Sequence, residues 1–393
     1  MITVLDWKLS EFMNTEDHTY QNAKLHFESA SELMMHERWN EAETELRKSL
    51  HYFPSRVSTS INLSAVLLKL GRFQEAKVLI EKALALDPDN PAIHMNAGLV
   101  LWNERQIEAA LEKFELVIEL QSDSADAWLN RGNALKLLGR LDDALLSFKK
   151  AFELNPFGDF YLGALVHAKM HLCDWADLDL RVKEIEARIK SGRKVSTPFS
   201  ILGLFDSPEL QRLAAESAVN PSVNPSSPLR TVSPKKKKEK IRVGYFSMDF
   251  YNHPVSFLLA DLIDAHDRTH FEIYALSFGH EVRDEMRIRL EKSFDKFFDL
   301  KDLDEPEIAK FSRELDLDIA IDLAGHTNNS RHEIFLSRVA PIQINYLGYP
   351  GTWGHKCMDY FIGDKIASQN FRESFPCLWN IEIKKLYPFA FLI

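Results

Sequence analysis

A period of 34 residues constrains this chain more than any other feature. Ala42, Ala76, Ala110 and Ala144 recur at equal steps, as do Pro54, Pro88, Ser122 and Pro156. Two more series keep the step: the small Ala30, Ser64, Gly98 and Gly132, and the bulky Leu46, Ile80, Phe114 and Phe148. Self-similarity at this period means units of two antiparallel helices, each burying its apolar face against its neighbours.

The residue types agree with that geometry. Small side chains belong where the two helices of a unit cross closely. The bulky series is expected to fill the interface with the next unit, and the prolines to end each second helix. Gly71 and Gly139 fall in the turn between the helices, where a left-handed residue is needed. Four units over residues 23–156 result, an α-helical tetratricopeptide solenoid, with residues 1–22 as an N-terminal extension.

A polar series keeps the same step: Asn62, Asn96 and Asn130, with Glu28 at the matching place of the first unit. An amide offers both a donor and an acceptor, so a ladder of them can hold an extended peptide backbone without reading its side chains. The same residues can equally serve as structural polar groups bridging neighbouring units. The spacing leaves both readings open.

After Pro156 the strict spacing fails. Residues 157–218 keep helical periodicity, with Leu178, Val182, Ile185 and Ile189 on one face and a further helix opened by Ser207 and Pro208. They read as a capping and connecting region. Residues 219–240, rich in proline and serine, read as a linker. The run Lys235–Lys238 within it is more simply a solvated segment than a targeting or phosphate-binding patch.

From residue 241 short apolar strands alternate with amphipathic helices, beginning with IRVGYFS (241–247) and continuing through FEIYALS, DIAIDLAG, PIQINYLGYP and CMDYFIGD. That alternation implies a parallel sheet covered on both faces, an α/β lobe. Ligand sites in such sheets gather beyond the carboxyl ends of the strands. Asp249, Asn252 and His253 fall there after the first strand. Gly325, His326, Thr327, Asn328 and Asn329 follow DIAIDLA, and Gly348, Tyr349, Pro350, Gly351 and Thr352 follow PIQINYL.

The strings RVGYFSMDFYNHPVSF, DLAGHTNNSRHEIF, RVAPIQINYLGYPGTWG and MDYFIGD, with HLCDW (171–175) ahead of them, resemble the protein O-linked N-acetylglucosamine transferase family and its SPINDLY-like members. The resemblance spans roughly residues 20–374. It implies two Rossmann-like lobes with the active site in the cleft between them, of which residues 241–374 match the first. It implies transfer of N-acetylglucosamine from UDP-N-acetylglucosamine, as donor substrate rather than cofactor, to serine or threonine of proteins. By the family's motifs His253 is expected at the active site near the sugar, and His326, next to Thr327 of the sugar pocket, as a second catalytic candidate. Thr327, Leu347, Gly348 and Pro350 match the residues that line the sugar site, and Asn62, Asn96 and Asn130 match the family's peptide-holding amides. His253 read without the family is a loop histidine capping the next helix. His280, His332 and His355 read as ordinary surface or loop residues.

The likeness stops near Ser374, and residues 375–393 form an atypical tail without strand–helix alternation. The family's second lobe supplies most of the nucleotide contacts, and neither a GxGxxG nor a GxxxxGK phosphate loop is present to replace them. The chain alone is therefore expected to have little transferase activity, and a non-catalytic peptide-binding scaffold is the alternative. A net charge of −10 argues against a nucleic-acid partner. No apolar run approaches the roughly 18 residues of a spanning helix, and no basic start precedes an apolar core. Cys173, Cys357 and Cys377 form neither a metal pattern nor a disulfide framework. A cytoplasmic protein without membrane or metal partners is expected, acting on protein or peptide substrates and a nucleotide sugar.

Overall fold

The computed structural model describes residues 3–219, 239–279, 282–327, 330–363 and 379–380, without the side chains of 3–18 and 379–380. Two compact units divide the chain, Met1–Leu178 and Asp179–Ile393.

The first unit is helical throughout. Its pairs are α1 (Thr3–Met35) with α2 (Trp39–Tyr52), α3 (Val57–Lys69) with α4 (Phe73–Leu86), α5 (Pro91–Asn103) with α6 (Ile107–Leu120), and α7 (Ala125–Leu137) with α8 (Leu141–Leu154). A ninth helix, α9 (Tyr161–His171), packs on α8 and α7, burying Leu165 and Ala168 with Phe148 and Ala134. The first helix runs unbroken from Thr3, through the residues read as an extension. Each second helix ends two residues before the periodic proline or serine.

The alanine series is fully buried at all four steps. The bulky series behaves differently from expectation. Phe114 lies over Gly98 of its own unit: a Cβ built on Gly98 would sit 2.5 Å from Cε1 of that ring. Gly132 and Phe148 repeat the arrangement at 2.6 Å. Across the four units the partners run Ala30/Leu46, Ser64/Ile80, Gly98/Phe114 and Gly132/Phe148, so glycine stands where the partner is phenylalanine, and alanine or serine where it is leucine or isoleucine. Constant volume at a close helix crossing explains this, because an interior packed near crystal density absorbs neither a void nor an extra methyl. Bulk at this position thus serves the crossing within a unit, not only the next unit.

The turns obey the period as well. Gly71 (φ 76°) and Gly139 (φ 74°) are left-handed, and Glu37 (φ 55°) and Arg105 (φ 62°) hold the same place without a glycine.

The second unit opens with α10 (Leu178–Lys190), α11 (Pro198–Leu202) and α12 (Pro208–Ala218), the last capped by Ser207, whose Oγ accepts from Leu210 N. The connecting region is therefore shared: α9 joins the repeats, and α10–α12 join the lobe. Val219, the first residue read as linker, is buried in the lobe's core cluster that also holds Phe246 and Trp353. Lys235–Lys238 lie outside the described residues.

The strands are β1 (Ile241–Ser247), β2 (Phe271–Ser277), β3 (Lys296–Asp299), β4 (Ile319–Asp322), β5 (Ile342–Tyr346), β6 (Tyr360–Ile362) and β7 (Trp379–Asn380). The helices between them are α13 (Pro254–Ala265), α14 (Glu285–Ser293), α15 (Glu305–Glu314) and α16 (Glu333–Leu336). All pairings are parallel, in the order β3-β2-β1-β4-β5-β6-β7. β7 comes from the tail read as irregular; the rest of that tail lies outside the described residues. Val243, Tyr245, Ile273 and Ile321 face α13 and α14, and Phe246, Leu276 and Ala320 face α15 and α16. Burial on both faces is why these strands read as continuous apolar runs.

Candidate functional site

The chain enters the sheet at its centre. From β1 it winds outward to β2 and β3, then returns to β4 on the other side of β1. This reversal sends the loops after β1 and β4 to opposite sides at the carboxyl ends of the strands, the place where open α/β sheets hold ligands. Three loops meet that end: 248–253 after β1, 323–332 after β4, and 347–358 after β5.

The β1 loop is anchored at both sides. Asp249 N donates to Ser247 Oγ at 2.9 Å, and Asn252 N donates to Asp284 Oδ2 at 2.6 Å. Gly279 after β2 approaches Met248 so closely that a Cβ would lie 1.8 Å from its carbonyl oxygen. His253 caps α13, its Nδ1 accepting from Val255 N at 3.3 Å, with Asp249 Oδ2 at 3.8 Å. An Nδ1 that accepts carries no proton, so in the neutral ring the proton sits on Nε2, which becomes a donor. The cap read from sequence as the plain alternative is thus present, and it leaves Nε2 for another partner.

The β4 and β5 loops form one knot. Asp322, 2% exposed at the end of β4, accepts from Ala324 N at 2.9 Å, from Gly325 N at 3.1 Å and from Trp353 Nε1 at 2.8 Å. Burial raises its carboxyl above the usual range while these donors oppose the rise. Gly348 sits against Leu323, where a Cβ would lie 1.9 Å from the carbonyl oxygen, and Gly325 sits against Tyr349. Leu347 is left-handed at φ 71°, a strained conformation for a branched side chain at the mouth of the loop. Thr327 is half-buried, its Oγ1 donating to Ala324 O at 2.9 Å, and Pro350 is exposed. Asn328 and Asn329 lie outside the described residues.

His326 is 8% exposed, its Nε2 2.8 Å from Trp353 O and its ring against His332, Tyr349 and Trp353. Burial, with His332 beside it, lowers its pKa to about 4. It is a neutral ring tying the two loops together, not a group poised to exchange a proton near neutrality. His332, read from sequence as an ordinary residue, belongs to this cluster, its Nδ1 buried without a hydrogen-bond partner. His355 accepts from Cys357 N through Nδ1, and His280 lies outside the described residues. Asp322 and Trp353 were missed in the sequence; the available signal was an aspartate closing a strand otherwise wholly apolar.

In the repeats the asparagine ladder divides. Asn96, 7% exposed, donates through Nδ2 to Ile61 O at 3.1 Å and Ser64 Oγ at 2.8 Å, bridging α5 to α3. Its donors are thus committed to the neighbouring unit. Asn62 and Asn130 are half-buried, and the Asn130 amide nitrogen lies 3.5 Å from Met95 Sδ.

Helical repeats followed by a doubly wound parallel lobe define the class: a repeat-bearing protein with an α/β lobe of parallel strands. Residues 222–375 match the model of glycosyl transferase family 41, and residues 33–97 and 125–157 match tetratricopeptide repeat models, so the chain carries a family 41 domain and tetratricopeptide repeats. It is 29% identical over 224 residues to the probable UDP-N-acetylglucosamine–peptide N-acetylglucosaminyltransferase SEC of Arabidopsis thaliana, covering 52% of this chain and 22% of that protein. A UDP-N-acetylglucosamine–peptide N-acetylglucosaminyltransferase of Caenorhabditis elegans is 36% identical over 133 residues, covering 33% of this chain and 11% of that one. An O-GlcNAc transferase mutant of Thermobaculum terrenum aligns over 94% of this chain and 58% of its own at 21% identity, with a TM-score of 0.36, too low to carry a conclusion. The matched stretches therefore span a minor part of the two curated relatives.

Proposed function

We propose that this chain serves protein O-glycosylation, its repeats holding a polypeptide acceptor and its α/β lobe forming one wall of a site for UDP-N-acetylglucosamine. The observation that supports this most is the placement of the β1, β4 and β5 loops at the carboxyl ends of adjacent strands around the switch point, within the stretch that matches family 41. Thr327, Leu347, Gly348 and Pro350 would surround the sugar. His253, with Nδ1 engaged in the cap, would present Nε2–H to an oxygen of donor or acceptor. That role is holding rather than proton removal, unless the cap opens first. His326 would act as a positioning residue. Asn62, Asn130 and the Oδ1 of Asn96 would bond the peptide backbone. The cytoplasm is the compartment that goes with this reading.

Charge on the departing diphosphate needs basic groups, and the resemblance implies that these belong to a second lobe. Residues 1–393 by themselves are therefore proposed to bind the donor weakly and to turn over little. Saturation-transfer NMR with UDP-N-acetylglucosamine tests the site: transfer to the N-acetyl methyl is expected, reduced in Thr327→Val. No transfer, with peptide binding intact, would replace this reading by that of a non-catalytic scaffold. Robust sugar transfer to protein by residues 1–393 alone would refute the need for a second set of basic groups.

A further inference from the structure

The stripe that carries Asn62 and Asn130 changes character at its far end. One turn beyond Asn130 on α7 stands Asn133, and the next turn brings Lys136. On α9, packed beside α7, the residue 34 places after Asn133 is His167, and one turn further is His171. The two imidazole rings meet edge-on with centroids 4.5 Å apart. Lys136 is half-buried and, among the described residues, its ammonium forms no hydrogen bond or ion pair; burial lowers its pKa. Its charge lies near enough to His167 to help burial hold that ring at about 4.

Structure does not require these groups. At the equivalent steps earlier in the array Lys136 is replaced by Trp102 and Leu68, and His167 by Asn133, Leu99 and Ala65. The acids on adjoining segments are engaged elsewhere. Asp126 accepts from the Tyr161 hydroxyl at 2.6 Å, while Asp174 and Asp177 both pair with Lys169. An ammonium half out of water with no counter-ion is costly unless an anion from elsewhere completes it.

We propose that Lys136, His167 and His171 form a carboxylate-binding pocket at the end of the asparagine stripe, selecting extended polypeptide segments that carry an Asp or Glu side chain there. This rests on the reading of the repeats as a peptide holder. A side-chain carboxylate suits the pocket better than a phosphate dianion, since Lys136 supplies its one permanent cation. The backbone carrying it continues over Asn133 and Asn130, so the anion is an internal side chain rather than a chain terminus.

The test uses residues 1–393 and fluorescent, end-blocked 12-residue peptides that differ only in bearing two Glu, two Gln or one phosphoserine at the central positions. The Glu peptide is expected to bind at least tenfold more tightly than the Gln peptide, and Lys136→Met is expected to remove that difference while leaving Gln-peptide affinity within twofold. Lys136→Arg should keep most of it, and unchanged circular dichroism excludes misfolding. Equal binding of Glu and Gln peptides overturns the pocket, as does preference for phosphoserine over Glu. Binding of the Gln peptide weakened by Asn130→Ala alongside no carboxylate preference would overturn the pocket and leave the peptide-holding reading standing. Absence of binding by all three peptides would overturn both.

Discussion

The crossing between α5 and α6 makes a quantitative demand on the repeats. An alanine at position 98 would bring its Cβ to 2.5, 2.9 and 3.0 Å from three ring carbons of Phe114, a side chain with no exposed surface. Ordinary carbon contacts lie near 3.5–4.0 Å, so the ring or the helix must yield by roughly an ångström. Overpacking of that kind costs about 1–3 kcal/mol, and a ring enclosed on all sides puts it near the upper end. Replacing glycine inside a helix returns about 1 kcal/mol, leaving Gly98→Ala destabilised by about 2 kcal/mol. Phe114→Leu alone leaves a void and should also destabilise. Together the changes recreate the Ala30/Leu46 combination of the first unit, and the double variant should recover about 1–3 kcal/mol relative to the sum of the singles. Urea denaturation followed by circular dichroism measures all four proteins, and hydrogen exchange in α5 and α6 localises the effect. A Gly98→Ala variant as stable as the parent, or strictly additive singles, would refute the claim that volume is held constant at each crossing.

Other expectations follow from single positions. Gly348→Ala places a methyl against the Leu323 carbonyl, rigid backbone that cannot swing aside, and should cost about 3 kcal/mol or more in thermal unfolding of the lobe. Arg105→Gly relieves a left-handed arginine and should raise the urea midpoint by the equivalent of about 1 kcal/mol; a lowered midpoint would mean that the arginine's contacts outweigh the strain. His326 has a folded pKa of about 4, below its unfolded value, so the unfolded chain binds the extra proton as acidity rises. Stability of the lobe is then intact above pH 7 and lost on acidification, by about 2 kcal/mol between pH 7 and pH 5. His326→Gln should flatten that part of the profile, and an unaltered acid limb would contradict the burial argument.

The repeats were legible because stacking imposes one period on every buried position, so Ala42 predicts Ala76, Ala110 and Ala144. The strands were legible because burial on both faces makes their central residues predominantly apolar, as in Val243–Phe246, Ile273–Leu276 and Ile319–Ile321. What escaped were features whose geometry or partners spacing along the chain does not display. Glu37 and Arg105 occupy left-handed turns that only Gly71 and Gly139 advertise. Asn96 keeps the ladder's spacing, yet its donors turn back to Ile61 and Ser64, a matter of side-chain direction that spacing does not contain. Asp322 and Trp353 stand 31 residues apart, and their bond exists only once β4 and β5 are neighbours. His253 is legible as the cap of the next helix, while the orientation of its ring depends on where Val255 N points.

The carboxylate of Asp322 has a mechanical consequence. It grips the backbone of one loop and the indole of the next, and Gly348 closes the remaining gap against Leu323. The two loops cannot swing separately: a guest that presses on Pro350 must also shift Thr327, as one jaw rather than two fingers. Affinity for a small ligand here should therefore respond to changes at Trp353 or Asp322, side chains the ligand need never touch.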